Sequence, residues 1–112
     1  MPRVEHNKLV RDFIPEKIRN NGEVCEVRTL SDEEFIPALT KKIIEEAGEL
    51  AQAKTRDDIL HEYADLMVLL DAFTAHYEFS EADIKDAIGR NIEKKGLFKE
   101  RHFLEWTDDA NT

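Results

Sequence analysis

The chain holds a single cysteine, Cys25. No intramolecular disulfide can form, and a cysteine-rich zinc site is excluded. Positive charge is outnumbered, with 16 Lys and Arg against 25 Asp and Glu. The net charge is −9, and a general grip on nucleic acid needs a basic surface to neutralise phosphates. That excess of acid leaves room for a small phosphorylated ligand, because a bound divalent cation reverses the local charge. Long hydrophobic runs are missing as well. The longest, Leu66–Leu70, is far short of a membrane span. The opening MPRVEHNKLVRD has no apolar core of the kind a signal peptide needs. The expectation is a cytoplasmic protein with neither nucleic acid nor membrane as partner. No internal repeat and no low-complexity segment interrupts the chain.

What is present is a single domain's worth of residues, 1–112, with 41% hydrophobic and 37% charged residues. The apolar positions are periodic, so the charge belongs to a folded chain rather than a disordered one. A core from this length is modest, and small helical proteins often complete theirs by oligomerising.

The pattern predicts an all-α fold: three main helices, a short N-terminal helix and one extended segment. IPEKIRNNG (14–22) suits a short helix, with Pro15 at its start and Gly22 as its stop. EVCEVRTL (23–30) alternates Val24, Cys25, Val27 and Thr29 and reads as a short strand or extended stretch. Ser31 and Glu34 form a capping box that opens a helix running to about Ala53. Ile36, Leu39, Ile43, Ala47 and Leu50 give its apolar stripe. Pro37 falls inside and is expected to kink or break it. Thr55 and Asp58 start a second helix to about His76, striped by Ile59, Tyr63, Leu66, Leu70 and Phe73. The short connection predicts an antiparallel pair. Ser80 and Asp83 start a third, carrying Ile84, Ala87, Ile88 and Ile92 and ending at Gly96. The segment 96–106 is aromatic and amphipathic.

Acids sit beside these stripes. Residues three or four apart share a helix face. KKIIEEAGELAQA (41–53) gathers Glu45, Glu46 and Glu49, and LHEYADLMVLLDAF (60–73) gathers Glu62 and Asp65. Antiparallel packing would bring both sets together, and carboxylates at close quarters raise one another's pKa. A hard divalent cation, Mg²⁺ or Mn²⁺, resolves that repulsion with oxygen ligands, and Mg²⁺ commonly bridges to phosphates. The competing reading is a solvated acidic face, common on helices. A ferritin-type di-iron site would want histidine three residues after a glutamate, where this chain has Gly48, Glu49 and Asp65. His61, one residue from Glu62, reads as structural and directed to another face. His6, His76 and His102 show no ligand spacing.

EEAGE (45–49) followed by EYAD (62–65) resembles the E-E-x-x-E … E-x-x-D signature of the all-α nucleoside triphosphate pyrophosphohydrolases. That superfamily includes MazG-like proteins, dimeric dUTPases and phosphoribosyl-ATP pyrophosphohydrolases. NKLVRDFIPEKI (7–18) resembles the opening of one MazG-like branch, and RNIEKKGLF (90–98) resembles the end of its third helix. The similarity covers roughly residues 6–105. It implies Glu46, Glu49, Glu62 and Asp65 as Mg²⁺ ligands, with Mn²⁺ as a substitute. Glu45 and Glu46 are implied in catalysis, Glu45 supporting the metal shell or orienting the attacking water. Asn91 and Lys94 match phosphate-holding positions, and Lys8 and Arg11 lie in the branch-specific opening as further phosphate contacts. Lys94 and Lys95 would also suit a helix C-terminus without any ligand, and Arg11 would suit a pairing with a carboxylate.

The resemblance implies hydrolysis between the α- and β-phosphates of a nucleoside triphosphate, giving a monophosphate and pyrophosphate, by a homodimer or homotetramer. Cleared substrates would be non-canonical or excess nucleotides. Phosphoribosyl-ATP of histidine synthesis is the alternative substrate. A non-catalytic regulatory module that binds nucleotide or metal, and a purely structural helical adaptor, are the alternatives of other classes. No residue marks a base preference.

Overall fold

A computed structural model describes residues 2–108. Four helices follow in order: α1 (Ile14–Asn20), α2 (Asp32–Gln52), α3 (Arg56–His76) and α4 (Glu81–Lys95). No strand occurs among the described residues, and the fold is all-α. No helix is long and apolar enough to cross a membrane. The span expected as one domain divides into two compact units, one through Tyr77 and one from Glu78 onward.

In the first unit, short-range chemistry sets the helix ends. The Ser31 hydroxyl accepts from the Glu34 N–H at 3.2 Å, and the Glu34 carboxylate accepts from the Ser31 N–H at 3.1 Å. This box satisfies two donors that α2 would otherwise leave bare. The Thr55 hydroxyl caps α3 through the Asp58 N–H at 3.1 Å. Pro37 lies inside α2, yet α2 is one continuous helix, against the expected break. The ring stands in the second turn, where the amide hydrogen bond it removes is next to the cap.

The connection between α2 and α3 is only residues 53–55, so the chain doubles back. The Phe35 ring near the start of α2 lies 5.5 Å from the His76 ring at the end of α3, which fixes the pair as antiparallel. Leu39 on α2 and Leu69 on α3 are the buried hydrophobic residues among those described, 1% and 5% exposed.

The seam departs from the expected stripes. On α2 the half-buried positions are Phe35, Ile36, Ala38, Lys42, Ile43, Glu46 and Leu50, while Ala47 is exposed. On α3 the inward positions are Glu62, Asp65, Leu66, Leu69, Phe73 and His76, a three-and-four spacing that follows a neighbouring helix. Ile59, Tyr63 and Leu70 face outward at 44%, 51% and 38% exposure. Both stripes have helical spacing, and the position of the partner helix decides which is covered. Residues 23–30 form no strand, because no second strand is present to accept the pairing; Val24 is exposed. The segment is instead fastened by Arg28, whose guanidinium donates to both oxygens of Glu34 at 3.1 and 2.7 Å.

The second unit holds α4, opened by a reciprocal Ser80–Asp83 capping box. It is closed by Gly96 at φ 79°, a left-handed conformation that glycine adopts without penalty. Ile84 is half-buried. Phe98, Phe103 and Trp106 follow in irregular chain and are exposed.

Candidate metal centre

The antiparallel register sets the second half of α2 beside the first half of α3. Glu46, Glu49 and Glu62 there each present a carboxylate oxygen, all three within 4.8 Å of one another. A second group of the same tightness is His61, Glu62 and Asp65. Glu62 belongs to both and joins them. The apolar seam thus runs from Leu39 and Leu69 directly into a carboxylate seam, with Glu46 and Glu62 in core-facing positions.

Burial at these positions has electrostatic consequences. Oε2 of Glu46 and Oε2 of Glu62 are sealed from solvent and accept no hydrogen bond. Buried oxygen without a donor is costly, the more so on an ionised group. The Glu46 carboxyl is pushed up to about 7 from its ordinary 4.5. Desolvation is the main cause, followed by the hydrogen bond and charge of Glu49 and then the charge of Asp65; Lys42 pulls weakly the other way. The site holds more negative charge than its protein surroundings neutralise.

Asp65 is the exception. Its Oδ1 lies 3.7 Å from Nη1 of Arg11, and its Oδ2 lies 3.5 Å from Nε2 of His61. The His61 contact corrects the expectation that this side chain points elsewhere. His61 and Asp65 are four apart on one helix, and that spacing is the signal that could have found it.

The other expected site residues divide as follows. Glu45 is exposed and belongs to neither convergent group. Lys8 is exposed, and no ion pair joins it to the acids. Asn91 and Lys94 lie in the second unit, where with Ala87, Arg90 and Lys95 they line an open cleft of about 320 Å³. That cleft carries three cations on one turn and a half of α4, and Arg90 was absent from the sequence-based set. Cys25 is half-buried, with its thiol 3.8 Å from the Pro15 carbonyl.

The donor set suits a hard cation. Three or four carboxylates converging from two helices match the oxygen ligation of Mg²⁺ or Mn²⁺. Two of the oxygens are buried and undonated, which is the deficit such an ion removes.

A protein of Mycolicibacterium smegmatis, described as an uncharacterized protein, is 53% identical over 53 residues, 47% of this chain and 54% of that protein. The chain thus spans about half the length of the curated relative it matches. No family model matches the chain. No solved structure matches it.

Proposed function

We propose that the protein is a cytoplasmic, Mg²⁺-dependent nucleoside triphosphate pyrophosphohydrolase. One observation carries this reading: Glu46, Glu49 and Glu62 converge with two buried, undonated oxygens on a short α2–α3 hairpin. Glu46, Glu49, Glu62 and Asp65 are the residues that would hold the ion. The chemistry such an ion would supply there is charge neutralisation and polarisation of a phosphoanhydride.

The chain's own residues have separable tasks. Glu49 and Glu62 fix the negative side of the site from opposite helices. Glu46 is proposed to accept a proton from the attacking water. Glu45, exposed on the same turn, is proposed to support the metal shell or to orient that water. Arg11 and Lys8, of the same unit as the acids, are proposed to hold the phosphates, as guanidinium and ammonium groups do elsewhere. The resemblance of EEAGE and EYAD to the pyrophosphohydrolase signature supports the assignment of reaction.

We also propose that the working unit is a homodimer or homotetramer. Ile59, Tyr63 and Leu70 form an exposed apolar stripe along α3, and a second copy of the chain would cover it.

The deciding experiment measures pyrophosphate release from canonical and modified nucleoside triphosphates and from phosphoribosyl-ATP. It is run with Mg²⁺, with EDTA, and with Glu49→Ala. Metal-dependent release that the substitution reduces at least about 100-fold supports the reading, since loss of a metal-site carboxylate removes electrostatic stabilisation of that order. Absence of turnover by folded, metal-supplied protein sinks it and leaves a binding module.

A further inference from the structure

We propose that Arg11 is an internal counter-cation that a divalent ion must displace from Asp65, so that loading the acid site releases the segment leading into α1. The inference rests on the metal-site reading above and concerns what controls that site.

The carboxylates are not equivalent. Glu46 and Glu62 each keep a buried oxygen with no donor. Asp65 has a positive or polar partner at both oxygens, Arg11 at 3.7 Å and His61 at 3.5 Å. Three glutamates therefore converge without Asp65, and Asp65 converges with His61 and Glu62 instead. Recruiting Asp65 to an ion shared with the glutamates would set that ion's charge against the Arg11 guanidinium.

Arg11 is the partner that an incoming cation repels. A guanidinium stays charged at every accessible pH, so it cannot relieve its repulsion of an incoming cation by losing a proton. It must move. Its side chain is half-exposed and its pairing distance is long for a charge-assisted hydrogen bond, so movement meets little resistance. The backbone of Arg11 is tied to the helix it precedes: its carbonyl accepts from the Ile14 N–H at 3.1 Å. Phe13, the residue before α1, offers no side-chain cap. The Arg11–Asp65 pair joins the entry of α1 to α3. Once free, the guanidinium is a two-pronged donor suited to phosphate oxygens, and it would become available only when the ion is in place.

The test uses the full chain and Mn²⁺ alone, with no nucleotide. Binding is measured by calorimetry or by loss of the free Mn²⁺ paramagnetic resonance signal for wild type, Arg11→Gln, Arg11→Lys and Lys8→Gln. Arg11→Gln is expected to tighten Mn²⁺ binding about two- to five-fold, the scale of one partly exposed ion pair. Arg11→Lys, which keeps the charge, should stay near wild type, as should Lys8→Gln. Amide exchange supplies the second readout: Mn²⁺ should speed exchange at Ile14 in wild type and leave it unchanged in Arg11→Gln. Unchanged or weaker binding by Arg11→Gln overturns the proposal, and so does equal tightening by Lys8→Gln, which would mean bulk charge. Wild type that binds no Mn²⁺ at all overturns the metal site itself and this inference with it.

Discussion

Glu46 and Glu62 meet across the α2–α3 seam with one oxygen each, Oε2, sealed from water and given no donor. They occupy positions where the same seam, two turns away, holds Leu39 and Leu69. A hydrophobic pair there would extend the core. The acids interrupt it and load the hairpin with a cost that only a cation or a proton relieves.

The first prediction concerns Glu46 and pH. Its folded-state pKa is raised to about 7 from 4.5, so between those values the folded chain binds a proton more tightly than the unfolded one. Metal-free stability should therefore fall as pH rises from about 4.5 to about 7, and level off above. Glu46→Gln should flatten that slope and make the metal-free protein more stable than wild type at pH 8, with no gain at pH 4.5. Thermal unfolding in EDTA across this range checks it. A wild-type midpoint that climbs through the interval while the variant's does not would contradict the account.

The second prediction concerns Leu39 and Leu69. These two side chains are the buried apolar residues of the hairpin, so neighbours have few alternative contacts with which to refill a void. Leu39→Ala or Leu69→Ala should each destabilise by about 2–5 kcal/mol, read by urea unfolding. Leu60→Ala, at an exposed position of α3, should change little.

The third concerns the start of α2. Glu34 is held at about 2, well below its ordinary 4.5, by the Arg28 hydrogen bonds first and the Ser31 backbone and hydroxyl next. The contribution is present above about 4.5 and is lost as pH falls toward 2. Carbon-detected titration should find the Glu34 carboxyl returning toward its ordinary value in Arg28→Ala. Ser31→Ala removes the cap and should cost about 0.5–2 kcal/mol. Residues 23–30 should become more mobile in Arg28→Ala, read by backbone relaxation, since the ion pair joins them to the start of α2.

What the sequence disclosed about this fold follows from the range of each interaction. Ser31, Thr55 and Ser80 announce helix starts because capping acts within three residues, and the helices begin where those signals stand. The antiparallel pairing was legible from the length of residues 53–55. The covered face was legible in part: Leu66 and Phe73 of the expected stripe face α2, whereas Ile59, Tyr63 and Leu70 do not, because the position of α2 selects among apolar positions of equal character. Of the two readings of 23–30, strand or extended stretch, the strand is not formed, since alternation specifies a strand only where a partner exists. At the site, Glu46, Glu49, Glu62 and Asp65 were legible as i, i+3 pairs. His61 reads as structural and directed away beside Glu62, yet its i, i+4 relation to Asp65 sets it on the Asp65 face. Arg11 reaches Asp65 from a distant part of the chain, and no local spacing could have shown that.

The fourth prediction follows from the uncovered stripe. Ile59, Tyr63 and Leu70 are exposed beside a seam whose buried apolar residues are Leu39 and Leu69. A hairpin with so little buried surface gains stability chiefly by covering more. Sedimentation of wild type should show a dimer or tetramer whose unfolding midpoint rises with protein concentration. Tyr63→Glu combined with Leu70→Glu should shift the species toward monomer and lower the midpoint. Neither residue is among the acids, so Mn²⁺ binding by the variant separates two cases. Binding retained by a monomer would place the whole ion site within one hairpin. Binding lost with the oligomer would mean that the second copy holds the hairpin in the register that brings Glu46, Glu49 and Glu62 together.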